Sequence, residues 1–469
     1  MQQQRGVAAN PVVEVGQVVL RGDRIAKSPS SEGADIHAPT SGTVTAIETR
    51  AAPLSTVSDA TCIVIATDGA DRAGRPNGPI ELAPTPEQRI AQIVAAGIVG
   101  LGGAVYPTAA KLNPKPDRNC KLLIINGAEC EPYISCDDML MRESPQEIIE
   151  GTEILRQLVD APECIIAIER DKPQAIDAMT AAAENLGFDH LRIAELPSIY
   201  PAGGERQLIE VLAGVEVSSA IYPGDTGFLC QNVGTAFAVY RYFRQGEPLT
   251  SRIVTVTGAA IAEPGNIDAM IGTPINDLVN ACGGYRSPAT RLIQGGSMMG
   301  FAFDDDSLPI TKATNCIIAA ESFEVKRDQR EWPCIRCGEC AIACPVRLQP
   351  QDLVLAARES NVAVLAELSL SECIECGCCD VVCPSHIPLT QVFRTAKPLV
   401  RDLAEQQAFS QASDQRFRMH EQRRHDATNA EAEQREALKA RLTEDQRRAE
   451  EIKAAVARAR LKKSESDGN

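Results

Sequence analysis

The chain has 469 residues, 44% of them hydrophobic and 23% charged, and a net charge of -16 at pH 7; it is too long for one hydrophobic core and is expected to divide into about three domains or more. Residues 401–469 carry fifteen Lys and Arg against fourteen Asp and Glu, so the preceding residues hold -17, a balance that disfavours nucleic acid as a partner. Seventeen Cys without the spacing of a disulfide framework point to a reducing compartment, and no signal peptide is expected, because Met1 is followed by Gln-Gln-Gln-Arg-Gly and no apolar run.

Residues 11–67 alternate short apolar runs (Val12-Val13, Val18-Val19-Leu20, Cys62-Ile63-Val64-Ile65) with turns at Gly22-Asp23 and Ala38-Pro39-Thr40-Ser41-Gly42. This patterning predicts an all-β module over 1–67. It resembles the barrel-sandwich hybrid of lipoyl and biotinyl domains, without a match to the lysine that carries their prosthetic group: Lys27 is nearest, in the wrong Ala-Lys-Ser context. A structural module is expected.

Residues 68–85, rich in Gly, Pro, Asp and Arg, read as a linker. Thr85-Pro86-Glu87-Gln88 then places an N-cap, a first-turn Pro and a Gln three residues after the cap ahead of Ile90, Ile93 and Val94, predicting a helix that Gly97 stops. The stretch Ile90–Ala110 has no charge, but five Gly and Pro within it would leave backbone groups unsatisfied in lipid, so no membrane span is expected. The run Lys121–Asn126 is too apolar to alternate, as in a strand buried on both faces. Ser144-Pro145-Gln146-Glu147 reads as a capping box opening a helix that ends before Asp160. Strands at 164–168 and 191–196 flank a helix from Pro173 to Leu186 that Gly187 stops. Strands alternating with helices predict a parallel α/β domain over 86–250. A strand at 253–258, a helix from Pro274 to Ala281 and a strand at 292–294 predict a small α+β module of β-grasp size over 251–300, followed by a connector over 301–330.

Next, Cys334-x2-Cys337-x2-Cys340-x3-Cys344-Pro345 is repeated as Cys373-x2-Cys376-x2-Cys379-x3-Cys383-Pro384, with a helix expected from Gln351 to Leu368 between them. In this spacing three thiolates of a tight loop meet one 4Fe-4S cluster, and the fourth turns away to the cluster of the other copy. The assignment is therefore Cys334, Cys337, Cys340 and Cys383 for one cluster, and Cys373, Cys376, Cys379 and Cys344 for the other. Zinc, which needs two separated pairs in a tetrahedron, has no use for a third Cys two residues on. Most of the other nine Cys, a set that includes Cys378, are expected to be small buried hydrophobes. Trp332, just ahead of the first copy, is expected to pack, and Asp304-Asp305-Asp306 to form a solvated turn. The cluster module is placed at 331–397, and 398–469 reads as a charge-dense helical tail with few large apolar residues.

The loop Gly100-Leu101-Gly102-Gly103-Ala104-Val105-Tyr106-Pro107-Thr108-Ala109-Ala110-Lys111 offers backbone N–H groups beside a lysine, yet matches neither the dinucleotide nor the Walker fingerprint. It resembles the FMN loop of the NADH-oxidising flavoprotein subunit of respiratory complex I. Asn126-Gly127-Ala128-Glu129-Cys130-Glu131-Pro132, Tyr200-Pro201-Ala202-Gly203-Gly204-Glu205 and Gln231-Asn232-Val233-Gly234-Thr235 resemble three further motifs of that family, in the same order. The resemblance implies FMN held by Gly100, Gly102, Gly103, Ala104, Lys111, Asn126, Glu129, Glu131, Tyr200, Gly203, Glu205, Asn232 and Thr235. It implies NAD(H) as substrate less strongly, because Ala128 replaces an acid, Gly204 one of two Glu that face the nicotinamide, and Tyr133 a Gly.

The whole order of barrel-sandwich, flavin domain, soluble-ligand-binding β-grasp, double-cluster ferredoxin and charged tail resembles the C subunit of the Rnf ion-translocating electron-transport complex. The fold class is accordingly multidomain α/β and α+β. The short Gly- and His-containing stretch that precedes the barrel in that family has no match, so the chain is expected to start late. The resemblance implies a peripheral subunit on the cytoplasmic face of the inner membrane. It would assemble with integral membrane subunits and a ferredoxin-like subunit, and would pass electrons between NAD(H) and ferredoxin through FMN and two 4Fe-4S clusters. A corrinoid reductase is the nearest relative to exclude, and its barrel follows the other domains. A docking or assembly subunit with a vestigial flavin site is the alternative that Ala128 and Gly204 motivate.

Overall fold

The computed structural model describes residues 1–53, 59–74, 78–112, 119–218, 221–325 and 330–466, the last six by backbone alone. At the N-terminus, β1 (Asn10–Pro11), β2 (Val18–Val19), β3 (Arg24–Lys27), β4 (Ile36–His37), β5 (Gly42–Ala51) and β6 (Asp59–Thr67) form two antiparallel sheets, β1-β3-β4 and β2-β5-β6. The sheets close over Val19, Ile25, Ile36 and Val44, as the alternation of short apolar runs requires. Lys27 ends β3 as an exposed residue.

The α/β domain comprises α1 (Pro86–Ala95), α2 (Thr108–Leu112), β7 (Leu122–Gly127), α3 (Cys136–Glu143), α4 (Pro145–Val159), β8 (Cys164–Glu169), α5 (Pro173–Leu186), β9 (Leu191–Leu196), α6 (Glu205–Ala213), β10 (Phe228–Asn232) and α7 (Val233–Tyr240). Thr85 caps α1 through its hydroxyl oxygen, which accepts from the Gln88 N–H. The capping box expected at Ser144 does not form: α3 ends at Glu143, so Ser144 is the junction of two helices and its side chain makes no cap bond.

The sheet is wholly parallel, in the order β10-β7-β8-β9. Leu123, Ile124, Ile125 and Ile165–Ile168 are no more than 1% exposed, and each large side chain there contributes roughly 1.5–3 kcal/mol by leaving water. Because β8 and β10 flank β7 on opposite sides, a crevice opens at the carboxyl ends of β7 and β10, the usual ligand position in such sheets. Asn126 and Asn232 stand in register there. β10 is not legible in the sequence, since Phe-Leu-Cys-Gln-Asn lacks a long β-branched run.

The next module contains β11 (Ser251–Thr257), β12 (Gly265–Met270), α8 (Ile275–Ala281), β13 (Arg291–Gln294), β14 (Phe301–Phe303) and β15 (Cys316–Ala320), in the sheet order β12-β11-β15-β13-β14. The connector expected over 301–330 is thus corrected: it supplies an edge strand and the central strand, whose five residues are all buried.

The cysteine module holds α9 (Glu339–Ile342), α10 (Pro350–Arg358), α11 (Val362–Glu367), α12 (Cys378–Val381) and α13 (Leu389–Ser466). The single helix expected over 351–368 is broken, because Ser360 takes a left-handed φ of 53° and Asn361 caps a new helix by accepting from Val364 N–H. The tail also begins earlier than residue 398. α13 starts at Leu389 and runs through Pro398, with Leu389, Phe393, Ala396 and Val400 buried against Leu353 and Leu365. From residue 404 to 460 it is almost entirely exposed. Among the described residues no helix is long and apolar enough to cross a membrane.

Candidate flavin and cluster sites

The glycine loop sits over the crevice between β7 and β10. Gly100 N–H donates to Tyr106 O at 2.8 Å and Leu101 N–H to the Thr235 hydroxyl at 3.0 Å, which fixes both ends of the loop. Between them Gly102, Gly103 and Ala104 are exposed, and their N–H groups have no partner among the described residues. Gly103 lies at φ +93 with open space where a Cβ would be, whereas a Cβ on Gly102 would meet the Asn232 side chain at 3.2 Å. Asn232 accepts from Gly234 N–H at 2.9 Å and donates to Asp137 at 2.6 Å. Asn126 donates to Gly203 O at 2.9 Å and accepts from Ala128 N–H at 3.0 Å. Free N–H groups over an open glycine surface fit the anionic head of a flavin nucleotide. Nearby in sequence, Thr108 Oγ1 and Gln231 Nε2 are buried with no partner among the described residues.

Five residues assigned by resemblance are engaged within the protein. Lys111 donates to Glu205 and to Cys230 O, both at 2.9 Å, so its charge is matched within the protein. Glu129 accepts from Asp137 N–H at 2.8 Å and Asp138 N–H at 3.1 Å, closing the N-terminus of α3. Burial, then the Asp137 carboxylate, pushes Glu129 above the ordinary carboxylate range, and burial likewise raises Asp137. Glu131 accepts from Met298 and Met299 N–H, each at 2.7 Å, and the Tyr200 hydroxyl donates to Cys376 O at 2.7 Å.

The two cysteine loops are conformational copies offset by 39 residues. Arg336 and Glu375, Gly338 and Gly377, and Arg347 and His386 all have positive φ, between 53° and 84°. These left-handed turns curl each loop around its thiols. One pocket is lined by Cys334, Cys337 and Cys340 of the first copy together with Cys383 of the second. The remaining four thiols gather separately. Burial pushes Cys376 up to about 12, with Cys344 adding to the rise, and burial pushes Cys379 up to about 12, with Cys373 and Cys376 adding. Cys334 and Cys337 are exposed, while Cys376 is buried. Cys378, outside both ligand sets, is half-buried beside Cys376 and Cys344. Trp332 is 54% exposed, not packed, with the Arg330 guanidinium 4.9 Å from its ring centre.

Sequence reasoning missed Arg252, Asp137 and the Met298–Met299 turn. Arg252 is buried and donates to Leu101 O at 3.0 Å and to Lys312 O, tying the glycine loop to the β-grasp module. A buried cation in a strand that reads Ser-Arg-Ile-Val was the available signal. For the Met298–Met299 turn there was none.

A flavin-domain fold with an open glycine loop, joined to two interleaved groups of four thiols, defines the class of multidomain redox-cofactor proteins. Residues 93–241 match the model of the Nuo51 FMN-binding domain, residues 1–70 that of the RnfC barrel sandwich hybrid domain, and residues 253–302 that of the SLBB domain. The chain is 45% identical to the C subunit of the ion-translocating oxidoreductase complex of Pseudomonas aeruginosa, over 89% of this chain and 54% of that one. It is 43% identical to the same protein of Haemophilus influenzae strain 86-028NP, over 89% of this chain and 62% of that one. The Rhodobacter capsulatus protein is 42% identical, over 85% of this chain and 76% of that one. Among solved structures, the NAD+-reducing nickel-iron hydrogenase in its H2-reduced state aligns at a TM-score of 0.46 and 21% identity, over 69% of this chain and 61% of that one. The chain belongs to the family formed by the C subunits of ion-translocating oxidoreductase complexes. It spans about half to two-thirds of the length of several of these relatives.

Proposed function

We propose that the chain is the peripheral flavin and iron–sulfur subunit of a membrane-bound, ion-translocating oxidoreductase that moves electrons between NAD(H) and ferredoxin, on the cytoplasmic face of the inner membrane. Integral membrane subunits and a ferredoxin-like subunit are its partners. The observation that carries this reading is the cavity in which Cys383 of the second loop joins Cys334, Cys337 and Cys340 of the first. That exchange of the fourth ligand is what two adjacent 4Fe-4S clusters require.

When bound, FMN takes up the two electrons of a hydride and releases them singly, and each 4Fe-4S cluster carries one. The protein supplies the frame. The N–H groups of Gly102, Gly103 and Ala104 hold the anionic head, while Asn126 and Asn232 shape the floor at the carboxyl ends of β7 and β10. Lys111 and Glu205 sit as a matched pair at the rim, and Thr235 anchors the loop. Cys373, Cys376, Cys379 and Cys344 form the second ligand set. On this reading the modules run 1–67, 86–250, 251–320 and 331–403, with the exposed helix after them.

A docking subunit with a vestigial flavin site is the second reading, favoured by the pairing of Lys111 with Glu205 and by Ala128 and Gly204. Anaerobic purification followed by assay of iron, acid-labile sulfide and flavin separates the two. About eight irons with one FMN are expected; about eight irons without flavin establishes the docking subunit, and four irons, or zinc, overturns the double-cluster assignment.

A further inference from the structure

The two cysteine loops share a spacing and a backbone conformation, but among the described residues the Cys373–Cys379 loop is hydrogen-bonded to the α/β domain, whereas the first copy meets it through a 3.9 Å contact of Arg347 with Glu210. The Tyr200 hydroxyl crosses from the loop between β9 and α6 to the carbonyl oxygen of Cys376, 2.7 Å away. Glu131, in the turn after β7, holds the Met298 and Met299 N–H groups at 2.7 Å each. That turn leaves no room for a side chain at Gly296, whose Cβ would lie 1.6 Å from Glu131 Cγ. On its far side a Cβ at Gly377 would be 3.3 Å from Met298 O, and Arg394 donates to Met299 O at 3.4 Å while pairing with Glu375 at 3.0 Å. Lys397 ties the same loop to α13 by donating to Cys373 O at 2.5 Å and to Glu375 at 2.6 Å. Two routes therefore run from the α/β domain to the Cys373–Cys379 loop, one direct and one through the Met298–Met299 turn. In the first loop, Cys334 and Cys337 are exposed, and among the described residues no side chain of the α/β domain donates to the carbonyl of Cys337, the counterpart of Cys376.

We propose that Tyr200 and Glu131 are positioning residues that seat the Cys373–Cys379 loop on the flavin domain. The group of Cys373, Cys376, Cys379 and Cys344 is then the one electrically adjacent to the flavin site, and the group of Cys334, Cys337, Cys340 and Cys383 faces the external partner. This rests on the reading of both groups as cluster sites. The inward-facing thiols would hold the group that exchanges single electrons with the flavin site, and the outward-facing thiols the group that exchanges them with the partner. A hydrogen bond to the carbonyl of a ligand residue fixes that loop's distance and biases the field at the cluster.

The test uses the full chain purified anaerobically, as wild type and as Tyr200→Phe, Glu131→Ala and Glu131→Gln. Tyr200→Phe removes one hydroxyl and keeps the ring. Losing one hydrogen bond of roughly 1–1.5 kcal/mol speeds amide hydrogen exchange across Cys373–Cys379 by about tenfold, with the Cys334–Cys340 amides unchanged. Glu131→Ala has the same effect, and Glu131→Gln, which keeps an acceptor for both Met N–H groups, restores protection. Iron content stays at the wild-type level, and the midpoint potential shifts only for the cluster whose signal disappears in a Cys376→Ser chain. Equal acceleration in both loops, acceleration in neither, or a shift confined to the other cluster overturns the proposal. Its failure is distinct from failure of the functional reading, which would show as wild-type protein with no flavin or with only about four irons.

Discussion

Replacing Cys344 tests the interleaving of the two cysteine groups most directly. Cys344 is the last cysteine of the first motif in sequence, yet its electrostatic neighbours are Cys376 and Cys378 of the second. Serine at this position should abolish the group formed with Cys373, Cys376 and Cys379 and spare the cavity of Cys334, Cys337, Cys340 and Cys383, because the two groups share no thiol. Half the metal goes: iron falls from about eight to about four per chain, with labile sulfide in proportion. Cys378 complicates the single substitution, since this ninth thiol lies beside Cys376 and Cys344 and is free to take the vacated position. The decisive chain therefore carries Cys344→Ser with Cys378→Ala, compared with Cys378→Ala alone. The EPR spectrum of reduced Cys344→Ser/Cys378→Ala protein is expected to match that of Cys376→Ser and to differ from that of Cys383→Ser. If it differs from Cys376→Ser and matches Cys337→Ser instead, each motif holds its own cluster, and the reading of the cavity is refuted.

Other substitutions address the flavin site and the frame around it. Lys111→Met removes a cation from the rim and leaves Glu205 unmatched, so flavin affinity should fall by about tenfold or more; unchanged affinity in a fluorescence titration would make the Lys111–Glu205 pair purely structural. Gly151→Ala places a Cβ 1.9 Å from Ala236 O, in the backbone of α7; the helices must separate, and chemical denaturation should show a loss of about 3 kcal/mol despite a helix-propensity gain of about 1 kcal/mol. Lys312 is fully buried, donates to Asp35 O at 2.8 Å and Gly97 O at 2.7 Å, and is pushed down to about 7 by burial, with Asp35 opposing. Between pH 7 and its unfolded value of 10.5 the unfolded chain holds a proton that the folded chain lacks, so stability rises with pH across that window, by up to roughly 5 kcal/mol; Lys312→Met should flatten this slope in melts from pH 7 to 9, and parallel slopes would mean that the two carbonyls keep the lysine charged. Truncation after Leu403 removes exposed helix bearing Leu438, Leu442, Ile452 and Val456 and no thiol or flavin motif; the shortened chain should keep iron and flavin but co-sediment less with membranes holding the integral subunits, and equal sedimentation at every salt concentration would show the helix to be idle.

Much of the frame was legible because it depends on local chemistry. Apolar runs such as Leu122–Ile125 have no stable place except a strand covered on both faces, and Thr85 followed by Pro86 allows little but a helix start. The paired cysteine spacing likewise specifies which four thiols meet. What sequence did not convey is decided by distant partners. β10 is a strand because β7 offers it an edge, and β15 became the centre of its sheet although its five residues follow a stretch that reads as connector. Ser144 has the letters of a cap, but α3 ends against it. In the flavin site, motif likeness placed Lys111, Glu129, Glu131 and Tyr200 near the crevice and said nothing of their hydrogen bonds. Those partners are Cys230, Asp137, Met298 and Cys376, which lie between 8 and 176 residues away.

The repeat itself shows how two equal loops become unequal. Position by position, Arg336 answers to Glu375, Glu339 to Cys378 and Arg347 to His386, so the first loop bears two cations where the second has an acid and an imidazole. The acid of the second loop is consumed internally: Glu375 meets Arg394 at 3.0 Å and Lys397 at 2.6 Å, both from α13. That is why α13 must begin at Leu389, inside the cysteine module, rather than at the charged tail; its first turns supply the cations that hold one loop against the flavin domain. The first loop has no such requirement. Ile335 and Ile342 are 67% and 80% exposed, and Arg347 is 85% exposed, with only a 3.9 Å contact to Glu210. An apolar rim with exposed guanidinium groups around exposed cysteines is poorly suited to packing within one chain and well suited to a transient acidic partner. If the proposal holds, the duplication separates two tasks that a single loop would have to compromise between: fixed distance on one side, release on the other.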